Sequence, residues 1–425
     1  MKSLPAAIVK RAPLWLLILA PFYLFPGPTK ALALLGLPLL WALQKREKGY
    51  FVRHTPFDWP ILLMMGMVLV SLYATFSLPY SLPKLAGLLF HVAVFYAVAE
   101  SVQTRAGLNR SLALYLALGL VVVGLSLLGI DWSTAKIPFL AGVTARLPVL
   151  VQGLPGAEAG IHRNQAAGSL LWFFPLQAGL LWAWWKGGAR SEAVLRRPIL
   201  LGLVFGVTVL TFVLAQSRGG LVGGLAALAF LGAVLNRRIR WGVALGLVAA
   251  IVAAGVIGWW TMGELLVSDA TEAVVGDLGS RGFRGEVWTA ARWGVSDFPC
   301  TGLGLGPFRE VARLLYPLQV SPTYDIAHAH NQFLQTALDL GLAGLVAYVA
   351  IWLEAGFLLW QTLRQTEDRF IRGAALGIAA SLAGYFVYGL TDTVALGAKP
   401  GLFLWWLFAL SAGLYGQVTA IRRET

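Results

Sequence analysis

Residues 341–353 have the sequence Gly-Leu-Ala-Gly-Leu-Val-Ala-Tyr-Val-Ala-Ile-Trp-Leu, without a charged side chain. They belong to an apolar segment, residues 331–363, that is long enough to cross roughly 30 Å of hydrocarbon as a helix. Immediately before it stands the polar stretch His328-Ala329-His330-Asn331-Gln332. Two of the chain's five histidines therefore lie where a polar loop meets a membrane helix, and there they either mark an interface loop or face a polar cavity or ligand.

Apolar segments of this kind recur along nearly the whole chain. The composition is 58% hydrophobic and only 12% charged, which a soluble domain could not present to water. We predict an all-α polytopic membrane protein, with a single integral membrane domain over residues 1–425 and about twelve transmembrane helices. Their expected cores are residues 13–27, 30–43, 59–77, 83–101, 111–130, 166–185, 198–216, 219–235, 241–260, 331–363, 371–390 and 400–419. The first two are short and rich in proline, so they form either a helical hairpin or one broken span.

Lysine and arginine residues support this topology because they concentrate in loops that stay cytoplasmic. With both termini in the cytoplasm, alternate loops carry basic clusters, and the short outer connections carry single residues such as Lys30, Lys84, Arg218 and Lys399. The cytoplasmic clusters are Lys45, Arg46, Lys48 and Arg53; Arg105 and Arg110; Lys186, Arg190, Arg196 and Arg197; Arg237, Arg238 and Arg240; and Arg364, Arg369 and Arg372. The formal net charge of +13 then follows largely from topology and anionic lipid, so no nucleic acid is needed as a partner.

Two connections are too long to be simple turns, and the same topology places both on the outer face. They are residues 131–165 and residues 261–330. The second contains five arginines and no lysine. A guanidinium offers a fixed fork of donors that suits phosphate or carboxylate. The use of arginine alone therefore indicates that the loop binds an anionic ligand and is not merely a solvated connection.

Three short patterns lie in or near these outer connections. Near-helical spacing of apolar residues predicts an amphipathic helix from Arg284 to Trp293 on the outer surface. The alternating glycines at 302, 304 and 306 indicate a packing turn or a hinge, since they lack the strand and helix of a phosphate-binding loop. The turn Ser217-Arg218-Gly219-Gly220 separates two apolar segments, so we expect Arg218 at the outer membrane edge, in a shaped turn rather than as a snorkelling anchor.

Six motifs follow one another in a specific order. They are His162-Arg163-Asn164-Gln165-Ala166-Ala167-Gly168, Ser217-Arg218-Gly219-Gly220, Arg284-Gly285-Glu286-Val287-Trp288, Asp297-Phe298-Pro299-Cys300-Thr301-Gly302-Leu303-Gly304-Leu305-Gly306-Pro307-Phe308, His330-Asn331-Gln332-Phe333-Leu334-Gln335 and Leu338-Asp339-Leu340-Gly341-Leu342-Ala343-Gly344. Together they resemble the O-antigen ligase and polymerase family of membrane glycosyltransferases. The resemblance covers about residues 160–350, and the order of the motifs is more specific than any single one.

The resemblance implies a GT-C-like architecture in the bacterial inner membrane, with residues 131–165 and 261–330 as periplasmic loops and the active site on the periplasmic face. The family's ligases transfer a glycan from undecaprenyl diphosphate to the lipid A-core in lipopolysaccharide biosynthesis. They invert the anomeric centre and need no metal or other cofactor. Two arginines and a histidine carry this function, and by motif they fall on Arg218, Arg284 and His330. His328 lies where the motif fixes no residue.

These residue types suit the chemistry independently of the resemblance. The guanidinium groups of Arg218 and Arg284 can hold a departing diphosphate, and the imidazole of His330 can act as general base on an acceptor hydroxyl. Asp339 and Asp392 lie near outer helix ends, where they either orient the His and Arg side chains or cap and solvate the helices. Further candidates for substrate binding are Arg163, Asn164, Ser217, His328, Asn331 and Arg292.

Other functions remain open from sequence alone. A polymerase would take a second polyprenyl-linked glycan as acceptor, and a protein ligase would glycosylate protein, both with the same donor. A flippase of lipid-linked sugars would also have about twelve spans, but such transporters tend to show repeated halves and charged groups in mid-membrane. The expected partners are the undecaprenyl-diphosphate-linked glycan, a lipid A-core or other glycan acceptor, and membrane lipid.

Overall fold

A computed structural model describes residues 8–9, 12–132, 140–153, 157, 160–187, 192, 196–235, 280–318, 320 and 326–424. These residues are mostly helical and form no β-strand, and an isolated bridge joins Ile130 to Ile161. The expected span at residues 241–260 lies outside the described residues. The same holds for the basic residues Arg190, Arg237, Arg238 and Arg240.

Most of the helices overlap the predicted apolar segments. Their bounds are α1 Ala12–Leu24, a 3₁₀ helix Pro28–Leu35, α2 Gly36–Lys48, α3 Asp58–Ala74, α4 Leu78–Ser101, α5 Arg105–Gly129, α6 Ala141–Thr144, α7 Arg163–Leu170, α8 Phe174–Trp185, α9 Pro198–Leu214, α10 Arg218–Leu235, α11 Ser280–Asp297, α12 Phe308–Leu315, α13 Gln332–Gln365, α14 Arg369–Gly389 and α15 Gly401–Glu424. Seven helical segments in the described parts are long and apolar enough to cross a membrane: α4, α5, α7 with α8, α10, α13, α14 and α15. The chain is therefore a multi-pass membrane protein, and the total of about twelve spans stays a prediction.

Helix α14 packs against both α8 and α10. Its glycines allow very close approach: a Cβ on Gly377 would lie 2.7 Å from the Cα of Leu176, and one on Gly384 would lie 2.7 Å from the carbonyl oxygen of Gly223. Small residues at helix interfaces are the usual means of tight packing in membranes, where lipid removes most of the hydrophobic drive for association. The glycines of α14 thus fix where the ends of α8 and α10 lie.

Helix α13 is kinked at Gly341, whose φ is 70° and ψ −179°. The chain between α11 and α12 fills the kink: the amide of Leu303 donates to the carbonyl of Leu338 (2.6 Å), and the amide of Leu342 donates to the carbonyl of Pro299 (2.7 Å). The glycines at 302, 304 and 306 all have positive φ, a backbone region that favours glycine. Of the two roles expected for them, a packing turn or a hinge, these contacts favour the packing turn.

The amphipathic helix predicted from Arg284 begins earlier, at Ser280, and ends at Asp297. It extends by one turn because Phe283 packs against a small apolar core on this side of the molecule. That core contains Val287 and Ala291 from α11, residues from the segment that follows it, and Leu338 from α13. Arg284 therefore lies within the helix and not at its start.

The loops with the predicted cytoplasmic basic clusters meet at one end of the bundle. Arg105 forms ion pairs with Glu192 (2.7 Å) and Asp368 (3.0 Å). On the same side, Lys48 pairs with Glu100, and the Arg369 guanidinium donates to the carbonyl of Lys186. Four of the predicted basic loops therefore lie together at one end of the bundle, and we call the opposite end the site face.

We expect Gly179→Ala in α8 to destabilise the protein. The added Cβ would lie 2.3 Å from the carbonyl oxygen of Gly373, so α8 and α14 must separate, at a cost of about 1–3 kcal/mol. Gly202→Ala in α9 is the matched control, since nothing lies within 4 Å of its Cβ and alanine is the better helix former. Thermal unfolding in detergent measures both, and equal melting temperatures for the two variants would contradict the packing argument.

Candidate functional site

Asp392 lies in the turn after α14, and side chains from distant segments of the chain meet at its buried carboxylate. Asn164 donates its side-chain amide to Oδ2 at 2.7 Å, and the backbone amide of Thr393 donates to Oδ1 at 2.9 Å. Nδ1 of His330 lies 3.2 Å from Oδ1, and Nη2 of Arg284 lies 3.8 Å from Oδ2. Three of the predicted motifs therefore converge on one carboxylate.

The Ser217-Arg218-Gly219-Gly220 motif comes to the same place by helix packing. A Cβ on Gly219 would lie 2.7 Å from Oγ1 of Thr391, the residue before Asp392. Arg218 is the first residue of α10; it is exposed and forms no hydrogen bond or ion pair with the described part of the chain. Its guanidinium is therefore available to a ligand beside the Asp392 turn.

Three helices begin around this turn. Asn164 lies in the first turn of α7, Arg218 begins α10, and His330 lies two residues before α13. Tyr388 ties α7 to α14 by donating its hydroxyl to the carbonyl of Asn164 (2.8 Å). Because a helix N-terminus carries partial positive charge, three of them at one place favour an anionic ligand.

His330 has a φ of 48°, an uncommon backbone conformation for a residue with a side chain. Among the described residues outside glycine, Gln216 is the one other case, with a φ of 54°, and it directly precedes the Ser217-Arg218 turn. Such conformations persist where the surrounding structure enforces them, and they cluster at functional sites. Both positions border motifs that were predicted to bind substrate.

The hydrogen bond to Asp392 fixes the proton of the His330 ring. Because an ionised carboxylate can only accept, Nδ1 of a neutral His330 must carry the hydrogen. Nε2 then keeps its lone pair and makes no hydrogen bond to the described residues. This is the arrangement of a general base whose orientation and tautomer are set by a carboxylate.

The pKa of Asp392 supports this assignment. Burial alone would raise the pKa of this carboxyl group, but the hydrogen bond from His330 and the electrostatic interactions with the two histidines outweigh it and lower the pKa to about 2. Asp392 is therefore ionised at neutral pH, where it can stabilise a protonated imidazole.

His328 has a different environment. Its Nδ1 accepts a hydrogen bond from the backbone amide of His330 (3.3 Å), so a neutral ring carries its hydrogen on Nε2, which lies 4.0 Å from Asp392. Burial first, and then the charge of His330, lower the pKa of His328 to about 3. His328 is thus neutral at physiological pH, and it holds the His330 backbone in place.

Ligand atoms of His328, His330 and Asp392 lie within 4.8 Å of one another, a grouping that could hold a metal ion. The hydrogen bonds oppose this use. A metal on His328 would need the Nε2 lone pair, and the ring proton would then move to Nδ1, against the amide of His330. The geometry is better suited to hydrogen bonding and proton transfer.

Three of the other predicted substrate-binding residues use their polar atoms inside the protein. Asn331 caps α13, accepting from the amides of Phe333 and Leu334 (3.0 Å each). Ser217 accepts from the amide of Gly220 (3.1 Å). Arg163 is 6% exposed and donates twice to the carbonyl of Asp131 (3.1 and 2.8 Å). Their contact with substrate stays a prediction.

Arg292 lies on the exposed side of α11, where Nη2 donates to Thr289 (3.2 Å). No described contact joins it to Asp392, and its substrate-binding role also stays a prediction. The sequence did not identify Asp392 as the organising residue, although it left open that Asp392 orients His or Arg. The sequence signal was an acidic residue in a short turn between two apolar helices.

A second chain of hydrogen bonds, through Gln335 and Asp339, holds the segment from His328 to His330 in place. The side-chain amide of Gln335 accepts from the backbone amide of Ala329 (2.7 Å) and donates to Asp339 (2.8 Å). Asp339 also accepts from the amide of Gly306 (3.1 Å), which links the glycine turn to the same network. Ala329 lies between the two histidines, so this network positions both rings.

Residues 201–349 match a family model described as O-Antigen ligase. The resemblance predicted from the sequence is thereby confirmed, and at the level of the family it indicates a glycosyltransferase with lipid-linked glycan and acceptor substrates. No curated protein matches the chain. The matched range includes Arg218, Arg284 and His330, whereas Asn164 and Asp392 lie outside it.

We expect His328 to make the protein less stable in acid. The pKa of His328 is about 3 in the folded protein and 6.5 for an ordinary histidine, so between these values the unfolded state binds more protons. Stability then falls as the pH drops through this window. His328→Asn keeps an acceptor for the His330 amide but does not titrate. The melting temperature should fall less in the variant than in the wild type from about pH 7 to about pH 4.5; equal losses would contradict the assignment.

Proposed function

We propose, as for a member of the O-antigen ligase family, that this protein transfers a glycan from undecaprenyl diphosphate to a hydroxyl of the lipid A-core. One observation carries the proposal: Asp392 orients His330 so that its Nε2 has no hydrogen-bond partner among the described residues, beside Arg284 and the N-terminus of α10. The site thus offers a base next to cationic side chains. The inner-membrane location, the periplasmic position of the site and a GT-C-like architecture belong to the same proposal.

Arg218 and Arg284 bind the diphosphate in this mechanism. Negative charge grows on the phosphate oxygen as its bond to the anomeric carbon breaks, and guanidinium groups stabilise such charge through paired donors. Arg284 is 3.8 Å from Asp392, a loose contact that leaves donors for a phosphate. Arg218 adds a second cation at the first turn of α10, where the helix dipole acts in the same sense.

His330 activates the acceptor. As the acceptor oxygen bonds to the anomeric carbon, its proton passes to Nε2 of His330, and the undecaprenyl diphosphate leaves with the electron pair of the broken bond. Asp392 stabilises the imidazolium that forms. A single displacement inverts the anomeric centre, and the proton is later released to solvent or to the departing diphosphate.

The identity of the acceptor decides between a ligase and the alternative, a polymerase or protein glycosyltransferase that uses the same donor. Purified protein in lipid, supplied with labelled undecaprenyl-diphosphate glycan, should form product with lipid A-core. Parallel reactions contain a second lipid-linked glycan or an acceptor protein. Product formed only in one of these parallel reactions would contradict the ligase assignment while retaining the donor chemistry.

Asp392→Asn should strongly reduce turnover. The amide has the size of the carboxylate but can neither fix the His330 tautomer nor stabilise its charge, so kcat should fall by roughly 10²–10⁴ with a small change in donor KM. Asp368→Asn is the control, because it retains the cap of α14 at the opposite end of the bundle. Steady-state transfer assays measure both variants, and normal turnover in Asp392→Asn would exclude the proposed role.

His330→Gln separates an enzyme from a flippase. This variant should bind the lipid-linked donor yet form no glycoside, because a glutamine amide cannot accept the proton at neutral pH. Donor binding and product formation are measured on the same preparation. Translocation of the lipid-linked glycan in proteoliposomes, unchanged by the substitution and without any glycoside from the wild type, would favour a transporter.

A further inference from the structure

Lys84 lies near the start of α4 on the site face, where two loops enclose it. The turn at Gly306 packs along its side chain, since a Cβ there would lie 3.3 Å from Cγ and 3.6 Å from Cε of Lys84. On the other side, a Cβ on Gly397 would lie 1.9 Å from the Lys84 carbonyl oxygen. Gly397 belongs to the loop that begins with the Asp392 turn. Lys84 is therefore held between the glycine turn and the loop of the catalytic carboxylate.

The ammonium group of Lys84 makes no hydrogen bond or salt bridge with the described residues. Asp339 is close enough to interact electrostatically, but its Oδ1 accepts from Gln335 and Gly306, and its Oδ2 has no hydrogen-bond partner. A half-buried cation without a partner is costly unless a ligand or water completes its surroundings. Lys84 is thus positioned as a donor for a group that the described residues do not supply.

Lys84 interacts electrostatically with a residue of the proposed catalytic site. It is one of the positive charges that lower the pKa of His328, the neighbour of His330. Lys84 also lies within electrostatic range of Lys399 and Arg309. A compact ammonium at such a position favours a phosphate over a neutral hydroxyl group.

We propose that Lys84 binds a phosphate group of a substrate, as a third cation beside Arg218 and Arg284. The inference rests on the proposed function and adds a residue from α4, a helix far from both arginines in sequence. The phosphate has two possible sources, the diphosphate of the donor and a phosphate on the acceptor core. Both present the same oxygen atoms to the ammonium, and kinetics with each substrate varied in turn distinguish them.

Lys84→Met removes the charge and keeps the length of the side chain. We expect the KM for the phosphate-bearing substrate to rise by about 10- to 100-fold, the loss of one charge-assisted hydrogen bond, with kcat changed less. Inhibition by inorganic pyrophosphate should weaken by a similar factor if the phosphate belongs to the donor. Lys84→Arg should restore part of the affinity. Lys30→Met is the matched control, because that exposed lysine donates to the carbonyl of Phe25 instead.

If the donor KM is unchanged and the acceptor KM rises only for a phosphorylated core, the proposal holds with the phosphate on the acceptor. Unchanged KM values for both substrates in folded Lys84→Met protein would overturn it. The double variant Lys84→Met with Asp339→Asn tests whether Lys84 only balances the charge of Asp339. Recovery of wild-type KM in the double variant would overturn the proposal, and a persistent defect would support it.

The same assays separate this inference from the proposed function. A wild-type protein that forms no glycoside from undecaprenyl-diphosphate glycan with any acceptor would refute the proposed function and, with it, the inference. An active wild type with an equally active Lys84→Met variant would refute the inference about Lys84 alone. Melting temperatures of all variants show whether each remains folded, and Lys84→Arg supplies the folded comparison if Lys84→Met does not.

Discussion

The buried carboxylate of Asp392 is the constraint on which the site depends. An ionised group removed from water must be satisfied by donors, and here the donors come from Asn164, His330 and the Thr393 amide. Asn164 and Asp392 are 228 residues apart in the chain. Satisfying one charge therefore joins the starts of α7 and α13 to the end of α14, and the same contacts orient His330, the proposed base.

Close helix packing makes that convergence possible. The glycines of α14 let α8 and α10 approach to backbone contact, so Gly219 at the start of α10 lies against Thr391. On the other side, the glycine turn enters the kink of α13 and carries α11, with Arg284, toward the same carboxylate. Glycine is thus needed at two places for different reasons. In the bundle its lack of a side chain lets the helices pack closely, and in the turn it can adopt the positive φ that the backbone requires.

Much of the fold followed from sequence, because apolar length and basic loops report directly on membrane segments. The sequence also identified Arg284 and His330, which the structure brings together, and Arg218 in the adjoining turn. It could not separate binding residues from capping residues. Asn331 and Ser217 are the types that both tasks use, and only their amide partners reveal the cap. Arg163 was similarly ambiguous, since a guanidinium suits a backbone carbonyl as well as a phosphate.

The two side chains that flank the His330 site, Asp392 and Asn164, lie outside the part of the chain that matches the family model. Residues 201–349, which match the family model, contain His330, Arg218 and Arg284 but neither Asp392 nor Asn164. A fragment with those limits would have a histidine of undefined tautomer and no counter-charge. The site around His330 is therefore built from segments spread over the helical bundle, and a fragment that is to retain it must also contain α7 and the turn after α14.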